Sequence, residues 1–382
     1  MKIILLASGA VRSSLTARVV NLGRELVKYG HDVVLVAPNC DKYTNFSTDS
    51  LTDIDGIKII HPAQFNSRWQ TLNFIPYIPS AAWHIWREKA DIVHLYKPTP
   101  LTLVGLVSKF RTKTRIVLDM DDLGSEVMLR ENNARWKVWL VAKSENIAAR
   151  YANAIVTASS YLRDYFQKTQ PNKVVLWIPN GVAVLDPGTA KVTAPIVFIG
   201  SLNNLEVIMP LINAIPQIAT AVISNGPIVS IIGDGEKRSD LVRLVHQNGV
   251  GVYVSFSDGW IKQERLNEVV GVGDIGYCCV PNENSYIAAS SQKVFNYLSL
   301  GVVPLVNNVG DLAYYVEDGK SGYIVADDLA TTLIRAMSDK KERDQKIKAG
   351  QSYLKANFLW PTLAKKLEKL YIDQLVGGKV SK

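Results

Sequence analysis

Cysteine is scarce in this chain: three among 382 residues, Cys40, Cys278 and Cys279. Three thiols, two of them adjacent, cannot form a disulfide framework and lack the spacing of a zinc site. They are expected to be small core residues of a protein in a reducing cytoplasm. Long apolar runs are missing too, since none reaches uninterrupted the roughly 18 residues that a membrane span needs. The opening MKIILLASGAV has one basic residue and too few strongly apolar ones for a secretory signal, and is expected to form a strand. Internal repeats, heptads and low-complexity segments are absent, which excludes solenoids, coiled coils and compositional disorder.

What is present is an ordinary globular composition, 47% apolar and 20% charged, over a length that suits two domains. The net charge of +8 is unevenly placed. Residues 1–185 carry 23 Lys and Arg against 15 Asp and Glu, whereas the rest carries 20 against 20. Residues 341–382 hold 10 basic and 4 acidic residues. A basic half suits an anionic partner such as a membrane surface or an acidic glycan, or serves solubility alone. No nucleic-acid module is recognisable, and no nucleic-acid partner is expected.

Short apolar runs alternate with segments of helical period. In the first half, strands are expected at 3–7, 32–37, 57–60, 92–95, 116–118, 155–158 and 174–178. Ser13 and Ser14 can cap a helix whose Leu15, Val19, Leu22 and Leu26 share one face, and Gly30 ends it. Further helices are expected near 101–108, 134–152 and 160–167. The turn-rich IPNGV and the residues after it read as a linker. The pattern then restarts with strands at 196–200, 228–233, 252–256, 275–280, 302–306 and 322–325, and helices at 205–220, 235–247, 262–270, 292–300 and 329–337. A charged tail follows, with Leu363, Leu367 and Leu370 on one face. The expected fold class is α/β, with two Rossmann-like, doubly wound parallel-sheet domains at 1–180 and 190–358 and a tail helix at 359–382 packed on the first domain. Ligands of such domains bind beyond the strand C-terminal ends.

The most informative stretch is SSQKVFNYLSLGVVP, residues 290–304. A polar start opens an apolar helix, Gly301 ends it, and a buried strand follows. The helix N-terminus offers amide N–H groups and a positive dipole end from Ser290, Ser291 and Gln292, with Lys293 in the first turn. Together with Gly233 and Gly235 of IIGDGE, which permit close backbone approach, this is a place to hold a diphosphate without a metal or other cofactor. Asn296, one turn beyond Lys293, is a candidate for a ribose hydroxyl. Each feature also has a plainer reading: a solvated lysine, a surface asparagine, a strand-to-helix turn.

The order and spacing of several segments resemble the family-4 retaining glycosyltransferases of GT-B architecture. MKIILL, a glycine-bearing loop and GHDVVLVAP resemble that family's opening. DIVH at 91–94, IPNGV at 178–182, FIGSL at 198–202 with Gly200, IIGDGE at 231–236, QKVFNYLSLGVVPLV and DGKSGYIV at 318–325 resemble later motifs in the same order. The resemblance covers essentially the whole chain. It implies a nucleotide-sugar transferase of hexosyl type, retaining and metal-independent, with a UDP- or GDP-sugar donor. The family's paired glutamates fall at Ala288 and Asn296 here, and its phosphate-binding Arg and Lys fall at Ser201 and Glu206. These departures leave open a non-catalytic, transferase-like scaffold and, more remotely, a sugar-nucleotide epimerase.

On the acceptor side, Asp119, Asp121 and Asp122 follow the strand RIVL, and are catalytic candidates for orienting or deprotonating an acceptor hydroxyl. Asp122 can alternatively cap a helix, and the D-M-D pattern can alternatively bind a metal. Gly9 in SGAVRSS is expected in a loop facing the donor, with Arg12 reaching phosphate. His94 reads as a core histidine. Six of eight tryptophans lie in the first half: Trp69, Trp83, Trp86, Trp136, Trp139 and Trp177. In WHIWR and RWKVW they interleave with cations, which suits either a bilayer interface or a core with snorkelling cations. The expected acceptor is a lipid-linked or cell-surface glycan intermediate, as in polysaccharide biosynthesis. The expected location is the cytoplasm, with the inner face of a membrane as a peripheral site.

Overall fold

Strands that are apolar on both faces must be covered on both faces, and one-sided helices supply the cover. A computed structural model describes residues 1–11, 13, 16–39, 52–64, 75–111, 113–183, 187–189, 194–223, 226–326 and 328–377. The chain divides into two units, one of Met1–Asn180, Ala288–Ser290 and Trp360–Lys382, the other of Gly181–Ile287 and Ser291–Leu359.

The first unit holds β1 (Lys2–Leu6), β2 (Asp32–Val36), β3 (Asp53–Ile54), β4 (Ile57–Ile60), β5 (Ile92–Tyr96), β6 (Arg115–Met120), β7 (Ala154–Thr157) and β8 (Val174–Trp177). They form one sheet in the order β3-β4-β2-β1-β5-β6-β7-β8. All its pairs are parallel except the β3–β4 hairpin. Ile3 of β1 stands beside Val33 on one side and Ile92 on the other. Helix Ala17–Lys28 buries Val19, Leu22 and Leu26 together with Trp360, Leu363, Leu367 and Tyr371 of helix Trp360–Gly377. The tail helix thus packs on the first unit as expected.

The second unit holds β9 (Ile196–Ile199), β10 (Val229–Ile232), β11 (Val254–Phe256), β12 (Ile275–Tyr277), β13 (Val303–Asn307) and β14 (Tyr323–Val325). Their order is β11-β10-β9-β12-β13-β14, all parallel. Both sheets are doubly wound, as the alternating pattern predicts. The direction of winding reverses between β1 and β5 in the first and between β9 and β12 in the second, and ligands of such sheets bind at these reversals.

Some local expectations are corrected. The N-cap position of the first helix is Thr16, not Ser13, and the Thr16 side chain caps no helix N–H; Ser14 lies outside the described residues. The segments expected as helices at 101–108 and 262–270 are 3₁₀ turns, Thr102–Phe110 and Gln263–Glu268. Helices Tyr77–Glu88 and Lys340–Asn357 went unforeseen. Pro79 reads as a breaker, yet it sits in the first turn, where its missing N–H costs nothing. Helix Lys340–Asn357 buries only Ile347, Gly350 and Leu354, too sparse a stripe to stand out. Leu205–Val222 is long and apolar enough to cross a bilayer by composition alone. Its Leu211, Ile212, Ile215 and Ile218 belong to the core of the second unit.

The core reading of the tryptophan-rich segments is overturned. Trp83, Trp86, Trp136 and Trp139 are all exposed. Trp69 lies outside the described residues. Cys278 and Cys279 are buried and unbridged, as read, and Cys40 lies outside the described residues.

Candidate active site

In the second unit the site is built around the gap between β9 and β12. These strands pair only at Ile275–Ile196 and Gly276–Val197. Beyond that point Tyr297, from helix Gln292–Leu300, fills the space between them. Its hydroxyl accepts from the Ile199 N–H at 2.9 Å and donates to the Tyr277 carbonyl at 3.1 Å. A Cβ on Gly276 would stand 2.5 Å from the Tyr297 ring, so only glycine lets the helix sit this close. The helix is thereby fixed with its first turn at the reversal point of the sheet.

Lys293 lies in that turn. Its Nζ is 4.3 Å from the centre of the Phe198 ring. A Cβ on Gly200 would come within 2.9 Å of the same atom, which places the ammonium directly over the end of β9. Among the described residues no carboxylate pairs with it, and its neighbours are Phe198, Gly200 and Cys278. Burial pulls the Lys293 pKa below its ordinary value, slightly offset by the nearby Cys278. The cation is partly enclosed, and among the described residues no carboxylate neutralises it.

The remaining predicted donor residues surround it with varying closeness. A Cβ on Gly233 would overlap the Gly200 carbonyl oxygen at 1.9 Å, so these two strand ends touch through bare backbone. Gly235 is equally confined, at 2.5 Å from Asn203 Oδ1, but it lies in a turn before helix Arg238–Gln247 and not at its start. Ser291 is the N-cap of helix Gln292–Leu300, yet its side chain caps no N–H; its Oγ lies 3.2 Å from Cys278 Sγ. Gln292 Nε2 donates to the Gly181 carbonyl at 2.8 Å and to Asn296 Oδ1 at 3.3 Å. The Asn296 carbonyl is therefore already engaged inside the helix.

In the first unit the three aspartates separate. Asp119 is wholly buried. Arg18 Nε donates to both its oxygens, at 3.3 and 3.0 Å, and His94 Nε2 lies 3.2 Å from Oδ2. Burial raises its pKa, but Arg18 and His94 outweigh that and hold the carboxyl below the usual range. The expectation of Asp119 at the mouth of the site is corrected: it anchors a buried network. Arg18 also donates to the carbonyls of Ile178 and Pro179, and Tyr371 Oη lies 2.7 Å from His94 Nδ1. His94 is a core histidine, as read.

Asp121 and Asp122 stay partly open, with 16% and 25% of their side chains exposed. Lys97 Nζ bridges them, 3.2 Å from Asp121 Oδ2 and 2.8 Å from Asp122 Oδ2. Asp121 also accepts from Tyr96 Oη at 3.0 Å and from Asn180 Nδ2 at 3.1 Å. Asp122 does not cap the following helix, whose N-cap is Leu123. Lys97 directly follows β5 with φ at +49°, a left-handed conformation, and its side chain reaches the residues just after β6. Sequence reading passed over Lys97 as a bridging residue, and only its place at a strand end hinted at it.

Ser290, which precedes the N-cap Ser291, groups with the first unit. Its Oγ accepts from the Asn180 N–H at 3.0 Å and its carbonyl accepts from Asn180 Nδ2. Gly9 lies buried in the loop after β1, beside the reversal point of the first sheet. Arg12 lies outside the described residues. Among the described residues no group of three or more His, Cys, Asp or Glu is placed to hold a metal ion.

Comparison with known proteins accords with this arrangement. Residues 15–184 match the family described as Glycosyltransferase Family 4, and residues 194–339 match Glycosyl transferases group 1. No curated protein sequence matches the chain. Among solved structures it resembles sucrose-phosphate synthase from Thermosynechococcus elongatus, with a TM-score of 0.75 at 17% identity over 99% of this chain and 100% of that one. It also resembles Anabaena HepE in complex with UDP and glucose, with a TM-score of 0.70 at 15% identity over 97% and 99%. WaaG, a glycosyltransferase involved in lipopolysaccharide biosynthesis, aligns with a TM-score of 0.66 at 14% identity over 97% and 99%. With one family domain in each half and two doubly wound sheets in a fold shared with these neighbours, the chain belongs to the glycosyltransferases of GT-B fold.

Proposed function

We propose that the second unit binds a UDP- or GDP-sugar, with the diphosphate against Lys293 and the amides of the first turn of helix Gln292–Leu300. The observation that carries this reading is the Lys293 ammonium, poorly solvated and without a described carboxylate partner, at the reversal point of the second sheet. Departure of the nucleoside diphosphate builds negative charge on its bridging oxygen, and a fixed cation in a poorly solvated site stabilises that charge strongly. The missing Cβ at Gly200 lets the Lys293 side chain lie over the end of β9, and the missing Cβ at Gly233 lets the two strand ends meet there. HepE, of the same fold, is solved with UDP and glucose, which supports a uridine donor.

The sugar passes with retention of configuration to a hydroxyl of a lipid-linked or surface-glycan acceptor, which Asp121 orients. The reduced, buried Cys278 and Cys279 suit a cytoplasmic location. A thermal-shift screen with UDP, GDP and their sugars tests the donor reading. Binding at a hundred times Kd stabilises the folded state by about 2.7 kcal/mol, a readable shift. No stabilisation by any nucleotide overturns it.

A further inference from the structure

Helix Arg135–Tyr151 is only half seated on its domain. Its buried residues, Ser144, Glu145, Ala148 and Ala149, all lie in the second half, and none of residues 131–143 is buried. The first half projects together with helix Gly124–Arg130, which buries no residue either. Trp136, Trp139, Leu140, Lys143, Ile147 and Arg150 recur at spacings of three and four, and therefore share one face. The two tryptophans are 62% and 60% exposed, Leu140 38% and Ile147 37%. Single exposed apolar residues are ordinary, but a continuous row of them along a helix is not.

The charge of this helix is one-sided. Arg135, Lys137, Lys143 and Arg150 face out. Its one carboxylate, Glu145, is turned inward, accepting from the Ser125 N–H at 3.1 Å and from Ser125 Oγ at 2.6 Å. Each tryptophan carries a cation: Lys137 Nζ is 5.6 Å from the Trp136 ring and Lys143 Nζ 5.8 Å from the Trp139 ring. The row continues onto the neighbouring 3₁₀ turn, where Lys109 Nζ stands 5.5 Å from the Tyr151 ring and Phe110 is 82% exposed.

We propose that this face docks the enzyme on an anionic lipid bilayer. Indole rings lodge at headgroup depth, and the cations beside them meet lipid phosphates. A second copy of the chain is a poor occupant, because a two-fold contact would set Lys143 and Arg150, flanked by Arg135 and Lys137, against their own copies. The inference uses no residue of the donor site, so its test reads separately from transfer.

The test is co-sedimentation and tryptophan emission of the full chain with phosphatidylglycerol–phosphatidylcholine vesicles, beside vesicles of phosphatidylcholine alone, at low and high salt. Binding is expected to the anionic vesicles only, with a blue-shifted emission, and to weaken with salt. Lys137→Ala with Lys143→Ala is expected to weaken partitioning about 30-fold, at roughly fivefold per cation. Trp136→Ser with Trp139→Ser is expected to abolish the emission shift. All four side chains are exposed, so circular dichroism and the thermal midpoint should stay those of the parent. The proposal is overturned if the parent stays in the supernatant with anionic vesicles at low salt, or if both double variants bind as the parent does. A concentration-dependent dimer lost in the tryptophan variant, without vesicle binding, overturns it in favour of self-association.

Discussion

Lys293 Nζ stands over the face of Phe198, 4.3 Å from the ring centre, at the end of the strand that opens the second sheet. Helix and strand are held in that relation by Tyr297, so the ammonium is positioned by packing, and among the described residues no counter-charge holds it.

Replacing Lys293 therefore acts in opposite senses on binding and on stability. Lys293→Met removes one charge-assisted contact to the diphosphate, and UDP affinity is expected to fall about 30-fold, near 2 kcal/mol. The free protein is expected to gain on the order of 1 kcal/mol in urea unfolding, because a poorly solvated charge is gone. The pH dependence follows from the lowered pKa. The folded state binds this proton less well than the unfolded chain, so the destabilisation is complete below the folded pKa and is relieved as pH rises from there towards 10.5. Donor affinity should decline over that same alkaline window. Calorimetric titration of UDP against pH checks both, and an affinity that Lys293→Met leaves unchanged removes Lys293 from the site.

The helix of the proposed donor site was legible in sequence because a polar first turn gives way to an almost wholly buried apolar segment. Val294, Tyr297 and Leu298 recur at helical spacing, Gly301 with φ at +72° marks the end, and the apolar Val302, Val303, Leu305 and Val306 that follow mark a buried strand. The acceptor side was not legible to the same degree. Three aspartates after one strand look alike as letters. Whether each meets solvent depends on Arg18, which arrives from 101 residues away in sequence, and on Lys97, whose left-handed backbone no propensity foretells. Ser290 shows the same limit, since its neighbour in sequence joins one unit while it joins the other.

Asp119 illustrates a carboxylate whose loss should be felt as instability. Asp119→Ala leaves the Arg18 guanidinium buried without its counter-ion, and the expected cost is about 3–5 kcal/mol. Because the folded pKa lies below the unfolded one, the stabilisation by Asp119 is present above the ordinary carboxyl range and is lost as pH falls through the folded value. The acid limb of the stability curve should therefore flatten in the variant. Urea midpoints measured from neutral pH downward test this, and a variant as stable as the parent throughout contradicts the network. Stability, not UDP affinity of the folded fraction, is the quantity expected to move.

Asp121 should behave differently, because its oxygens are only partly enclosed. Burial raises its pKa, but Lys97 and Arg18 outweigh that and hold it below the usual carboxyl range. Such a group is ionised at neutral pH and is a weak base, better suited to orienting an acceptor hydroxyl than to removing its proton. Asp121→Asn is accordingly expected to lower kcat about 100-fold, the small end of the general-base range, with UDP affinity unchanged. The parent's rate should stay flat through neutral pH and fall only on the acid side of the ordinary carboxyl range. Lys97→Met removes the cation that depresses this pKa, and the acid limb should move to higher pH by a readable amount. A rate profile in the Lys97 variant that superimposes on the parent's, or an Asp121→Asn enzyme with full kcat, would remove Asp121 from the proposed acceptor site.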